Sequence, residues 1–270
     1  MNTGMLDVLC CPKCHGKLSM KGESKIVCEK SDHVFSLEDG MPVFVKKEEI
    51  NPKDAKWVFE YDETAEKYDE LIVEYNAWLE VDDLMQEFTN AFEEAPLKEG
   101  QHILDVSVGT GNVNFGIQKA YPNMKFKFAG VDLSVGFLKV AQRKFKESGI
   151  ESLLVHSQVF ELPFPDETFD VITHSGGINT YSDIPGTLKE WVRVLKPGGM
   201  LWIVDEGVDP AERQTTRGKR IMKDNTLFAA HPPLEHLPKE VKDIRLRWVA
   251  RGTFYVLTCW KRSKKELAEI

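Results

Sequence analysis

Long apolar runs are missing from this 270-residue chain. No stretch approaches the 18 consecutive apolar residues of a transmembrane helix, so a membrane span is excluded. The opening residues, MNTGMLDVLCCPKC, lack the basic head and apolar core of a secretory signal, and a cytoplasmic address is the expectation. Cysteine is nearly absent beyond residue 28, where Cys259 stands alone, which leaves no disulfide framework to expect. No internal repeat or low-complexity tract interrupts the chain. Positive charge is not in excess either: the net charge of −8 argues against general nucleic-acid binding. The remainder is ordinary globular composition, 42% hydrophobic and 29% charged, enough for one large domain or one with an appendage.

The charge that is present is unevenly placed. Residues 213–265 hold 14 Lys/Arg against four Asp/Glu, whereas residues 1–212 hold 21 against 37. A basic C-terminal region reads either as a face for an anionic substrate or as a solvated surface.

Four cysteines crowd the N-terminus: Cys10, Cys11, Cys14 and Cys28. Cys11-Pro12-Lys13-Cys14 is a CxxC knuckle that turns two sulfurs toward one point. Zinc takes a tetrahedron of thiolate and imidazole, so two further ligands are needed. Cys28 supplies one, and His33, five positions on, is the best candidate for the other. Cys10 is the alternative to His33. The text CPKCHGKL followed by CEKSDHVFSLEDGMPVF resembles the small zinc ribbons fused to, or partnered with, methyltransferases. Such ribbons commonly place a fourth cysteine where Ser31 stands here. Ribosomal-RNA guanine methyltransferases with a Cys/Cys/Cys/His finger are similar too. The other possibility is a metal-free ribbon held by Val27, Phe35, Leu37 and Phe44. A zinc-ribbon-like domain over residues 1–46 is expected, then a charged linker containing Pro52.

From residue 55 to 270 the pattern is helical first and then alternating. Apolar and aromatic residues at helical spacing predict two helices over 56–95, ended by Pro96. Strands are predicted at 102–108, 128–132, 152–156, 169–173 and 200–205, with helices between them. Lys196-Pro197-Gly198-Gly199 reads as the turn closing the helix before the last of these. Such alternation predicts an α/β fold, a mostly parallel sheet covered on both faces. The runs 244–250 and 253–260 are too close for a parallel crossover and predict an antiparallel pair at the sheet's end.

Between the first of these strands and its helix lies Asp105-Val106-Ser107-Val108-Gly109-Thr110-Gly111. Gly109 and Gly111 let backbone approach a ligand at the carboxyl edge of the sheet, and Asp132, at the end of the next strand, can accept from both ribose hydroxyls. Asn114 stands where a dinucleotide fingerprint wants a third small residue. Together with VDLS at 131–134, LPFPDETFDVI at 162–172 and RVLKPGGML at 193–201, this segment resembles the class I S-adenosylmethionine-dependent methyltransferases.

The resemblance covers residues 55–270 and implies a Rossmann-like seven-stranded, mostly parallel sheet with an antiparallel last strand. It also implies site roles. Asp105 and the Gly109–Gly111 loop hold the methionine part of the cofactor, Asp132 the ribose, and Leu133 packs on adenine. Gln158 stands where an aspartate often meets the adenine amine, with Val159 beside it. Ser107 replaces the usual first glycine of the loop. His174 is placed at the mouth where cofactor and acceptor meet. Tyr68, in EKYDEL, is similar to the tyrosine that closes over the cofactor in quinone-type methyltransferases; alternatively it is a core residue.

Methyl transfer needs alignment and an unprotonated nucleophile. Where a proton must leave, His174 is the first candidate base, with Asp205 and Glu206 second. The expected acceptor is a small molecule, quinone-like, lipid-like or anionic, chosen by the insert 207–238 and the N-terminal helices. Methylation of an rRNA or tRNA base is a second possibility, although residues 1–46 carry no excess of Lys and Arg for phosphate. A non-catalytic scaffold is a third, opposed by the intact loop and Asp132. Oligomeric state cannot be read from the sequence.

Overall fold

The computed structural model describes residues 3–93 and 95–269. Its N-terminal part is a four-stranded antiparallel ribbon: β1 (Leu18–Met20), β2 (Lys25–Cys28), β3 (Val34–Glu38) and β4 (Met41–Val43). Alternation along β2 turns Ile26 and Cys28 inward and leaves Val27 only half-buried, so Ile26 rather than Val27 fills the ribbon's core. Phe35 meets Phe44 edge to face, ring centres 4.9 Å apart. Residues 46–53 are not loose chain. They form a single 3-10 turn, after which Asn51 caps the next helix by accepting from the Lys53 N–H, with Pro52 in its first turn.

Three helices follow where the sequence pattern predicts two: α1 (Pro52–Thr64), α2 (Tyr68–Leu79) and α3 (Leu84–Glu93). The doubly wound part then runs β5 (His102–Val106), α4 (Asn112–Ala120), β6 (Lys127–Asp132), α5 (Val135–Ser148), β7 (Ser152–His156), β8 (Phe169–Ser175), α6 (Ile184–Val194) and β9 (Leu195–Glu206). The chain finishes with α7 (Thr216–Asp224), β10 (Val241–Val249), β11 (Phe254–Lys261) and α8 (Lys264–Ala268). The sheet order is β1-β2-β3-β4-β7-β6-β5-β8-β9-β11-β10. Strands β5 to β9 pair in parallel, and β11 lies antiparallel between β9 and β10. This is the Rossmann-like seven-stranded arrangement, mostly parallel with the antiparallel final pair. One difference is local: Leu195–Gly199 enters β9 through a register shift instead of standing as a separate turn.

The ribbon adds four strands to that sheet. β4 pairs in parallel with β7 at Val43 and His156, and the Phe44 N–H donates to His156 O at 2.9 Å. Lys13 reaches Glu161 at 2.6 Å and the Cys10 N–H donates to Pro163 O.

Arginines of the insert do not form a free basic lid. Arg217 donates to Leu79 O and Arg251 O, Arg220 to Trp78 O and to Glu80, and Arg213 to Ala229 O. Cations at the carboxyl end of α2 satisfy its orphan carbonyls and its negative dipole end. Replacing Arg217 with Ala strands two carbonyls and is expected to cost about 1–3 kcal/mol of unfolding free energy, measured by urea titration.

Candidate cofactor and acceptor cavity, with a candidate metal centre

β5 delivers its loop at the carboxyl edge of the sheet. Ser107, Gly109 and Gly111 all have positive φ, 59°, 53° and 88°. At Gly111 a Cβ would come within 3.0 Å of the Phe145 ring, so both the conformation and the close packing require glycine there. Ser107 keeps the left-handed turn despite its side chain, and its hydroxyl hydrogen-bonds the Tyr181 hydroxyl at 2.6 Å. At the end of β6, Asp132 accepts from the Gly109 N–H at 2.8 Å and from the Ser134 N–H at 2.9 Å. Burial pushes its pKa up to about 6, while donors from Ser134, Gly109 and Leu133 oppose the shift. The acid on the second strand therefore shapes the loop on the first, and each oxygen retains a lone pair for a ligand.

The N-terminal helices are tied down over this edge by two acids. Asp62 accepts from the Ser134 hydroxyl at 2.5 Å and the Gly136 N–H at 2.8 Å. Asp69 accepts from Thr110 at 2.7 Å, Asn112 at 2.8 Å and Lys144 at 2.6 Å. Tyr61 and Tyr68 both pack on Phe137, ring centres 5.1 and 4.7 Å apart. Beneath them is a cavity of about 540 Å³. Its polar end is lined by Gly109, Asp132, Leu133 and Gln158; its other walls are largely aromatic, from Trp57, Tyr61, Tyr68, Tyr75, Phe88 and Phe254.

Of the residues expected from sequence, Tyr68, Gly109, Asp132, Leu133, Gln158 and Val159 meet in the walls of this cavity. Asp105, Gly111 and His174 do not line it. Asp105 is buried beneath the loop, where its Oδ1 accepts from the Thr173 hydroxyl at 2.9 Å, and burial raises its pKa well above the carboxylate range. His174 is fully buried too: its Nδ1 lies 2.9 Å from Val106 O and its Nε2 3.5 Å from Asp205 Oδ2. Burial drives its pKa down to about 4, so the ring is neutral near pH 7 and supports the loop from behind. The neighbouring Ser175 takes the cavity-facing place instead. Side chains alternate across a strand, and one position decides which layer a residue enters.

Asp62, Asp69, Tyr181 and the cavity-facing role of Glu206 are what sequence reasoning did not single out. Both aspartates sit in an acidic stretch where nothing distinguishes them from solvated carboxylates. The structure's fit to an adenosyl group rests on an orphan: Gln158 Oε1 is buried, lies in a cavity-lining residue and has no hydrogen-bond partner among the described residues. Such an acceptor suits an adenine amine, and the Asp132 carboxylate in the same wall is able to accept from hydroxyls.

In the ribbon, ligand atoms of Cys11, Cys14, Cys28 and His33 all lie within 4.8 Å of one another. Cys14 Sγ and Cys28 Sγ are 3.5 Å apart, and Cys11 Sγ is 3.2 Å from His33 Nδ1. Bonds of about 2.3 Å to sulfur and 2.0 Å to nitrogen give tetrahedral edges near these separations. Cys10, although buried, is outside the cluster; its backbone is bonded to Pro163. The Ser31 hydroxyl lies 2.8 Å from the same nitrogen, His33 Nδ1, at the edge of the cluster. Gly16 is required by crowding: a Cβ there would lie 2.7 Å from Cys28 Sγ.

Known proteins resemble the two parts separately. The model of the ubiE/COQ5 methyltransferase family matches residues 48–211, and that of Trm112p-like proteins matches residues 4–40. A demethylmenaquinone methyltransferase of Symbiobacterium thermophilum is 35% identical over 143 residues, 52% of this chain and 54% of the relative. The Bacillus subtilis protein of that name is 38% identical over 106 residues, 39% of this chain and 45% of the relative. The chain thus spans about half the length of the curated relatives it matches. Among solved structures, Haemonchus contortus phosphoethanolamine N-methyltransferase 2 in complex with S-adenosyl-L-methionine has a TM-score of 0.57 at 19% identity, over 75% of this chain and 60% of that one. A chain from the complex containing the Haloferax volcanii Trm112 methyltransferase activator also has a TM-score of 0.57, at 14% identity, over 76% of this chain and 98% of that one. These two likenesses concern the fold. With the family model covering more than half of the residues, this chain belongs to the ubiE/COQ5 methyltransferase family, whose cofactor is S-adenosylmethionine.

Proposed function

We propose that this protein transfers a methyl group from S-adenosylmethionine to a ring carbon of a small quinone-derived acceptor in its reduced, quinol form. One observation carries the proposal: a single cavity joins the polar loop edge to an aromatic chamber, roofed by the helical cap. The cofactor supplies an electrophilic methyl group. A quinone ring is itself electron-poor, whereas its quinol is electron-rich enough at carbon to attack. Flat aromatic walls suit such a ring. The relatives named for demethylmenaquinone point to the same acceptor class.

Within this scheme Asp132 receives the ribose hydroxyls, Leu133 and Val159 flank the adenine, and Gln158 accepts from its amine. Gly109 admits the cofactor to the backbone. Tyr68 offers a ring face to the cation. Asp105, Gly111 and His174 act from behind the wall by fixing the loop. Residues 1–46 serve as a zinc-ribbon domain with Cys11, Cys14, Cys28 and His33 as ligands, and residues 55–270 as the methyltransferase domain. Thiol ligands of this kind need a reducing compartment, which supports a cytoplasmic location. Among the described residues, no helix is long and apolar enough to cross a membrane.

Calorimetry with S-adenosylmethionine, then transfer of labelled methyl to a short-chain demethylated naphthoquinol, tests the proposal. Saturable binding and label in the naphthoquinol are expected. Label appearing in RNA transcripts would select base methylation instead; the anchored arginines 213, 217 and 220 oppose that. Absence of cofactor heat at sub-millimolar concentration would favour a scaffold.

A further inference from the structure

Glu206 is the last residue of β9 and lines the cavity. Its Oε2 is buried and has no hydrogen-bond partner among the described residues, an expensive state for a carboxyl group unless a ligand meets it. The turn opposite is glycine: a Cβ on Gly176 would lie 3.8 Å from Glu206 Oε1. Directly behind, Asp205 is held by backbone donors. Its Oδ2 accepts from Ile178 N–H at 2.6 Å, and its Oδ1 from Glu206 N–H at 2.7 Å and Gly177 N–H at 3.3 Å. Burial raises the Asp205 pKa; the neighbouring Glu206 carboxyl first, and then those N–H groups, favour its ionised form.

We infer that Glu206 is the general base of the reaction, its Oε2 taking the proton of the acceptor's ring hydroxyl. This rests on the proposed methyl transfer to a quinol. The ring hydroxyl's O–H bond breaks as the Glu206 carboxylate becomes a carboxylic acid. The electron pair left on oxygen flows through the ring, a carbon–methyl bond forms, and the methyl–sulfur bond breaks with its pair remaining on sulfur. The ring carbon then gives its own hydrogen to solvent as a proton, and the ring oxygen recovers its proton from Glu206. One methyl is gained, one proton is released, and no redox partner is needed.

The surroundings suit a strong carboxylate base. Burial and the adjacent Asp205 charge push the Glu206 pKa well above the usual carboxylate range. The other titratable groups facing it are Tyr61 on α1, Tyr68 and Tyr75 on α2, His174 on β8 and Tyr255 on β11. The four tyrosines and the neutral His174 bring no counter-charge, so the Glu206 carboxylate, once ionised, is a stronger base than an exposed one. His174, by contrast, is too weak a base and is not in the wall.

The test is Glu206→Gln, assayed with two naphthol-type acceptors, one with an ordinary ring hydroxyl and one already ionised at neutral pH. With the ordinary acceptor, kcat is expected to fall about 100- to 10,000-fold, with cofactor affinity by calorimetry unchanged. With the pre-ionised acceptor the loss shrinks to within about tenfold, since no proton remains to be taken. Wild-type kcat/KM should rise with pH on its acid limb, and the variant should lose that limb. Equal rates for variant and wild type overturn the inference, as does an equal loss with both acceptors. Should Glu206→Gln fail to fold, Glu206→Asp decides: a displaced acid limb supports the role, and an unmoved one overturns it. A wild-type protein that binds cofactor but methylates neither acceptor overturns the proposed reaction itself.

Discussion

Replacing Asp132 with Ala is expected to weaken S-adenosylmethionine binding at least about 100-fold, since two charge-assisted acceptor sites are worth about 1.5–3 kcal/mol each. The loss has two parts. The ribose hydroxyls lose their acceptor, and the N–H groups of Gly109 and Ser134 lose theirs, so the loop that meets the cofactor relaxes. Calorimetry measures the first, and a fold checked by circular dichroism separates it from general unfolding. A pH series gives an independent reading. The carboxyl pKa is raised to about 6, so Asp132 is ionised above that value and protonated below it. Cofactor affinity should hold steady above pH 6 and decline as pH drops through it. An affinity that is flat from pH 7.5 to 5, or an Asp132→Ala protein that binds normally, removes Asp132 from the cofactor site.

The second large effect concerns the ribbon. About one equivalent of zinc is expected in the purified protein, and structural zinc contributes about 10–16 kcal/mol to the folding of small metal domains. Stripping it with a chelator, or replacing Cys28 with Ala, should expose the amides of β1 to β4 to rapid hydrogen exchange while β5, β8 and β9 stay protected. The disturbance has a route to the cofactor. β4 pairs with His156, whose Nε2 lies 3.1 Å from Leu133 O, and Leu133 lines the cavity beside Asp132. A several-fold loss of cofactor affinity should therefore accompany metal removal. Less than about a tenth of an equivalent of zinc, together with undisturbed exchange after chelation, would eliminate the metal centre.

Much of this was legible in the chain because strand-turn-helix alternation and the glycine spacing are local signals. The left-handed turn at Gly109 and Gly111 and the place of Asp132 at the next strand's end needed only neighbouring residues to be read. What escaped depends on contacts far apart in sequence or on one-residue parity. Asp62 and Asp69 find partners more than 40 residues away, on β5's loop and on α5, and a local pattern cannot separate them from their acidic neighbours. His174 and Ser175 are adjacent at a strand end, as are Asp205 and Glu206. In each pair the sheet's alternation turns the second residue to the cavity and the first into the packed layer. The basic insert was ambiguous for another reason: arginines that cap a helix's carbonyls look, in sequence, like arginines awaiting an anion.

The union of ribbon and main sheet has a consequence for solubility. Were β4 taken away, β7 would become a terminal strand whose unpaired N–H and C=O groups invite another chain to dock, the usual starting point of aggregation. The present terminal strand on that side, β1, is three residues long, and a short edge of this kind templates poorly. Shortened versions of the protein that begin after residue 46 should thus self-associate through β7, whatever their hold on the cofactor.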